Sequence, residues 1–132
     1  MKILLCLAVT VVLFGAAPAS ADEAIDGKNP LICATIEAID CSPGEKCEKG
    51  LPEDIGAPQF LRIDFANKKI VGPKRANEIR MMEKNDEQIT LQGYELDMGW
   101  TLALDRITGK MAITLTGSDV AFVVFGACTP LP

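Results

Sequence analysis

Four cysteines, Cys33, Cys41, Cys47 and Cys128, constrain this chain more than any other feature. An even set spread over about a hundred residues is the pattern of a small exported domain held by disulfides. Zinc is a poor rival: the chain has no histidine, and the intervening lengths of seven, five and eighty residues contain no C-x-x-C pair. Three pairings exist, and geometry removes one of them. Residues 33–41 alternate like a strand, which sets Cys33 and Cys41 roughly 26 Å apart at ~3.3 Å per residue, whereas a disulfide needs its Cα atoms within about 7 Å. Of the other two, Cys41–Cys47 with Cys33–Cys128 is favoured, because it closes a turn-rich segment and fastens the first strand to the last. The swapped pairing, Cys33–Cys47 with Cys41–Cys128, stays open.

The start of the chain points to a compartment that can form such bonds. Met1-Lys2, an apolar run from Ile3 to Ala17 and the small residues Ala19 and Ala21 make the three parts of a secretory signal peptide, cut after Ala21. The run is shorter than the ~20 residues a bilayer span requires, and no basic cluster follows it, so no stable membrane insertion is expected after cleavage. Cys6 precedes most of the apolar run and is read as part of the discarded leader, not as a lipid-modified cysteine. Residues 1–21 are thus the leader, 22–30 a polar lead-in and 31–132 a single β domain. The 111 residues that remain carry 12 basic and 18 acidic side chains, a net charge of −6. That balance gives no electrostatic footprint for nucleic acid, and a periplasmic or secreted protein is expected.

From Gln59 onward, short period-two runs alternate with turn residues, the signature of an antiparallel meander. Turns are expected at Ala66-Asn67-Lys68, Gly72-Pro73, Lys84 to Glu87, Asp97-Met98-Gly99, Asp105 to Lys110 and Gly117-Ser118-Asp119. Inward positions are assigned to Leu61, Ile63, Phe65, Leu91, Trp100, Leu102, Leu104, Ile113, Phe122 and Val124. The last strand, Val120 to Cys128, is apolar on both faces and should be covered twice. With the first strand the count is about eight, which predicts an all-β fold: a closed or partly open barrel, with a β-sandwich as the alternative. Residues 41–58 form the one long loop, with a helical turn expected near Pro52-Glu53-Asp54-Ile55. Leu51 and Ile55 are candidates to plug one barrel end.

Without histidine there is no Ser-His or Cys-His nucleophile and no imidazole base, and neither Ser42 nor Ser118 sits in a G-x-S-x-G context. No catalytic residue, metal site or cofactor is assigned. A pair of carboxylates is the remaining hydrolytic chemistry, and nothing singles out two among Asp64, Glu78, Glu95, Asp97 and Asp105. Lys68, Lys69, Lys74, Arg75 and Arg80 form a local basic patch, readable as a binding surface or as charges that keep a sheet edge from aggregating.

The closing segment, Gly99-Trp100 through Asp105-Arg106-Ile107-Thr108-Gly109-Lys110 to Val124-Phe125-Gly126-Ala127-Cys128-Thr129-Pro130, resembles the end of small exported bacterial proteins of uncharacterised function. The resemblance covers roughly the last third and implies the compartment and the β architecture, with no active site. The general plan is also similar to the small disulfide-bearing barrels that inhibit lysozyme in the bacterial envelope, although their inhibitory loop has no counterpart here. The leading expectation is a non-enzymatic binding or accessory protein that recognises an envelope protein or a glycan through the cysteine loop and adjacent hairpin turns. Second comes a carrier of a small apolar ligand, disfavoured because bulky inward residues should fill the barrel. A carboxylate-based hydrolase is third.

Overall fold

A computed structural model describes residues 24–132, so the expected leader lies outside the described residues. The chain forms β1 (Leu31–Cys41), β2 (Glu48–Gly50), a one-turn 3-10 helix (Pro52–Ile55), β3 (Phe60–Asp64), β4 (Lys69–Val71), β5 (Ala76–Glu78), β6 (Met81–Lys84), β7 (Gln88–Glu95), β8 (Met98–Asp105), β9 (Lys110–Thr116) and β10 (Ala121–Pro130). All strand pairs are antiparallel, in the order β5-β4-β3-β1-β10-β9-β8-β7-β6, with β2 appended to β1. The sheet curls into a half-barrel, and its two ends belong to one stretch of chain. Only Ile79 and Arg80 separate β5 from β6, with the Ile79 N–H donating to the Lys68 carbonyl and the Arg80 N–H to the Gln92 carbonyl. Counted this way, β5 and β6 are one bent strand and the expected eight are present, with β2 as an addition inside the cysteine loop.

The centre of the sheet is the long pair β1–β10, where Cys33 and Cys128 are direct cross-strand partners with Cα atoms 3.9 Å apart. The second bridge, Cys41–Cys47, closes the short loop ahead of β2. The favoured pairing is the one present, and two disulfides are the mark of an oxidising compartment. Among the described residues no helix is long and apolar enough to cross a membrane.

A β-bulge at Ile36 interrupts the β1–β10 register between Thr35 and Glu37. The extra residue changes the strand's phase: Leu31 and Cys33 point inward before it and Ala38 after it, while Ile36 is left 64% exposed. The double-faced apolar character of β10 is explained only in part by its central place. Val124 is buried, but Phe125 on the outer face remains 40% exposed with no second layer over it among the described residues.

The packed core occupies one half of the interior, around Ile63, Phe65, Ile89, Leu91, Leu102, Leu104, Met111 and the Cys33–Cys128 bridge. The lead-in closes that end. Ile25 is buried at 5% exposure, its N–H donates to the Arg106 carbonyl, and the Arg106 side chain returns bonds to the carbonyls of Ile25 and Asn85. Within the polar lead-in, Ile25 is therefore a cap on that end, a role that the surrounding polar composition hides. Gly109, at φ 72°, lets the β8–β9 turn approach β10, where the Cys128 N–H donates to the Gly109 carbonyl at 2.7 Å. A Cβ there would lie 2.3 Å from the Cys128 carbonyl oxygen.

Three aspartates organise turns at this closed end. The backbone N–H groups of Asn29 and Lys28 hold the Asp26 carboxyl below its ordinary 3.8, Asn67 does the same for Asp64, and the N–H groups of Thr108 and Ile107 for Asp105. Because the folded values are depressed, their stabilisation is complete above the unfolded value and is lost as pH falls through the folded ones. Stability to urea should therefore be flat from neutral pH down to about pH 5 and decline below about pH 4. Asp105→Ala should be less stable at neutral pH and show a shallower acid decline. An unchanged slope in that variant would remove Asp105 from the account.

In the chain-entropy model, the long Cys33–Cys128 loop stabilises by about 4.7 kcal/mol and the short Cys41–Cys47 loop by roughly half as much. Cys33→Ala with Cys128→Ala should thus lower the urea midpoint about twice as far as Cys41→Ala with Cys47→Ala.

Candidate functional site

The other half of the interior is hollow. A cavity of about 380 Å³ lies between the packed core and the open end. Its walls are Trp100 from β8, Ile113 and Leu115 from β9, Phe122 and Val124 from β10, and Leu61 and Ile70 from β3 and β4. The expectation of a filled barrel is corrected here. The inward residues are those expected, but Ile113 and Phe122 are only half-buried because they face the cavity. The reason lies on the opposite wall, where β4 and β5 are three residues long and β1 presents only small Thr35 before its bulge and Ala38 after it, so too few large side chains come from that side.

Three segments form the mouth: the 3-10 helix with Gly56-Ala57-Pro58, the turn Gly72-Pro73-Lys74-Arg75, and the β7–β8 turn with Leu96 and Met98. The first is tied to β1 by Thr35, whose N–H donates to the Gln59 carbonyl and whose hydroxyl donates to the Pro58 carbonyl at 2.7 Å. The helical turn expected at Pro52 is present, and Ile55 does line the mouth. Leu51 does not plug it, being 61% exposed. The cysteine loop itself stands outside, with residues 42–49 exposed.

Across the mouth, side chains replace the missing ladder between β5 and β7. Glu95 accepts from Asn77 Nδ2 at 2.9 Å and pairs with Arg75 Nε. The basic patch is thereby divided. Lys74 and Arg75 sit at the mouth, Lys68 and Lys69 lie at the opposite end of the β4–β5 hairpin, and Arg80 stacks over the Tyr94 ring at 5.8 Å. The candidate acids are not assembled into a site: Asp64 and Asp105 serve closed-end turns, Glu78 and Asp97 are exposed, and no charged side chain among the described residues is buried.

Trp100 packs over its cross-strand partner Gly93, where a Cβ would lie 2.2 Å from Cζ2 of the indole. This is an aromatic ring laid across a strand glycine. The indole is 5% exposed, and its Nε1–H has no hydrogen-bond partner among the described residues. Leu96 is the site residue that sequence reasoning missed. The reversal was expected at Asp97-Met98-Gly99, but Glu95 pairs with Met98, so the turn is Leu96-Asp97. Both residues have positive φ, 49° and 63°. A primed two-residue turn normally takes Asn-Gly or Asp-Gly, and a leucine in that conformation, 65% exposed at the cavity mouth, is held there against its own preference.

Comparison with known proteins gives no match. No family model, no curated protein and no solved structure is similar to this chain. The reading of the site therefore rests on its geometry.

Leu96→Asn should relieve the backbone and raise the urea-derived stability by about 1 kcal/mol. A loss instead would mean that the leucine side chain contributes more by packing than its backbone costs.

Proposed function

We propose that this protein binds and carries a small apolar molecule in the cavity at the open end of its half-barrel. The observation that carries the reading is the division of one interior into a packed half and a hollow, apolar half. A cavity of about 380 Å³ falls in the range of small-molecule sites, about 300–1,000 Å³. Of the polar side chains on its walls, Thr35 is engaged with Pro58 and Asn77 with Glu95, while the Trp100 Nε1–H has no partner among the described residues; the walls otherwise offer a guest mainly hydrocarbon contact. Strain at Leu96 fits a residue kept for a ligand, since sites that break a local rule are commonly functional ones. The disulfides and the signal-peptide pattern together support export to the periplasm or beyond.

A second reading, recognition of an envelope protein or glycan through the cysteine loop, is supported by one observation. The loop is exposed and doubly braced, by Cys41–Cys47 and by the β1–β2 ladder, and exposed Leu51 follows it directly. It does not account for the hollow interior, and we rank it below the carrier.

Trp100 is the single tryptophan and lines the cavity, so its fluorescence reports occupancy. Titration with the apolar dye Nile red should show energy transfer from Trp100 that saturates at one dye per chain. Ile113→Phe combined with Leu115→Phe should fill the space and abolish that binding while keeping a cooperative unfolding transition. Equal dye binding by the filled variant would place the dye on the outer surface and refute the carrier reading.

A further inference from the structure

We infer that the guest is an otherwise apolar molecule with one carbonyl-type hydrogen-bond acceptor, and that the indole Nε1–H of Trp100 donates to it. The inference rests on the reading of the cavity as a binding site, and adds the chemical class of the guest and the residue that selects it.

The observation behind it is an unspent donor. Trp100 Nε1 is the one buried side-chain nitrogen or oxygen among the described residues that has no hydrogen-bond partner. Buried tryptophans ordinarily find an acceptor for this group, and leaving it unpaired costs the water it gave up on folding. The same residue lines the hollow half of the interior, so the unpaired donor and the unfilled space occur together. The ring is laid over Gly93 by its Cε2–Cζ2 side, the side that carries the nitrogen, and the absence of a Cβ there is what admits it. The indole is thus held in a place where the protein gives its N–H nothing to bond.

The class of acceptor follows from the other polar groups. Thr35 Oγ1 already donates to the Pro58 carbonyl and Asn77 Nδ2 to Glu95, so the wall's remaining capacity is a single donor. A guest that matches it brings one acceptor and no donor of its own, as a ketone or an ester does. A charged acceptor has no counter-charge inside, because no charged side chain among the described residues is buried and the two acids at the mouth balance its two basic residues. Solvent does not reach Nε1 in the empty protein, so the acceptor meets it when wall side chains that border the void, such as Ile113 and Leu115, give way.

The test compares 2-nonanone with 2-methyl-1-nonene, which has the same shape with a methylene in place of the oxygen. Trp100 is the single tryptophan, so the nitrogen-15-labelled protein has one indole N–H resonance. The ketone should move that proton downfield and the alkene should not, and the carbonyl stretch of the bound ketone should fall below its value in alkane solvent. Trp100→Phe should lower the ketone-to-alkene affinity ratio about fivefold, read by displacement of Nile red. The ratio cancels the contacts that both probes lose with the indole, and the two spectroscopic readouts use the unaltered protein and do not depend on that variant folding. Equal indole shifts from the two probes, or a ratio that Trp100→Phe leaves untouched, overturns the acceptor inference while the cavity site stands. Failure of both probes to bind also overturns it, and if Nile red fails as well the carrier reading falls with it.

Discussion

Everything in this domain hangs on the pairing of its first and last long strands. β1 and β10 face each other from Leu31–Pro130 to Cys41–Ala121, with Cys33 and Cys128 bonded as direct partners inside the ladder. Strands this far apart in sequence close the largest loop in the chain, and closing it costs conformational entropy before any contact is gained. The disulfide reduces that cost by restricting the unfolded chain, which matters for a small domain whose core fills only half of its interior. With the central pair in place, β3 to β5 and β9 to β7 are added outward on either side, and the chain from Ala76 to Lys84 joins the two ends.

The same pair divides the interior. The disulfide lies in the packed half, where Ile25, Arg106 and the Asp26, Asp64 and Asp105 turns seal the end with backbone hydrogen bonds. The Ile36 bulge lies toward the other half, where it turns a bulky side chain out and leaves Thr35 and Ala38 facing in. One end is thus over-determined by bonds and the other under-filled by side chains. A chain selected only for stability would be expected to fill that space, since an empty apolar volume forfeits dispersion contacts. The hollow half and the strained Leu96 occur at one end, and the proposed ligand binding would account for both.

Much of the architecture was legible in the residues. Period-two alternation marks β7, β8 and β9, and strand length alone excludes Cys33–Cys41. The inward side chains of those strands are likewise readable, because a register error would turn Leu91, Leu102 and Leu104 out to water. What was not legible depends on long-range geometry. Nothing local tells that Ile36 is a bulge, that Leu96-Asp97 and not Asp97-Met98-Gly99 makes the turn, or that Ile25 inserts as a cap. The cavity was the largest miss. Counting bulky inward residues predicts a filled barrel only if every strand contributes its share, and the three-residue strands β4 and β5 do not. Of the basic patch, only Lys74 and Arg75 came to the site, because the β4–β5 hairpin carries the Lys68-Lys69 pair to its opposite end.

Native mass spectrometry of the protein purified from its own cells, before and after denaturation, tests the central claim most directly. A hollow apolar half that carries a ligand should give a chain with a bound small mass that disappears when the protein is unfolded. A chain that is bare under gentle conditions, and stays bare when offered the lipid extract of the same cells, would contradict the claim.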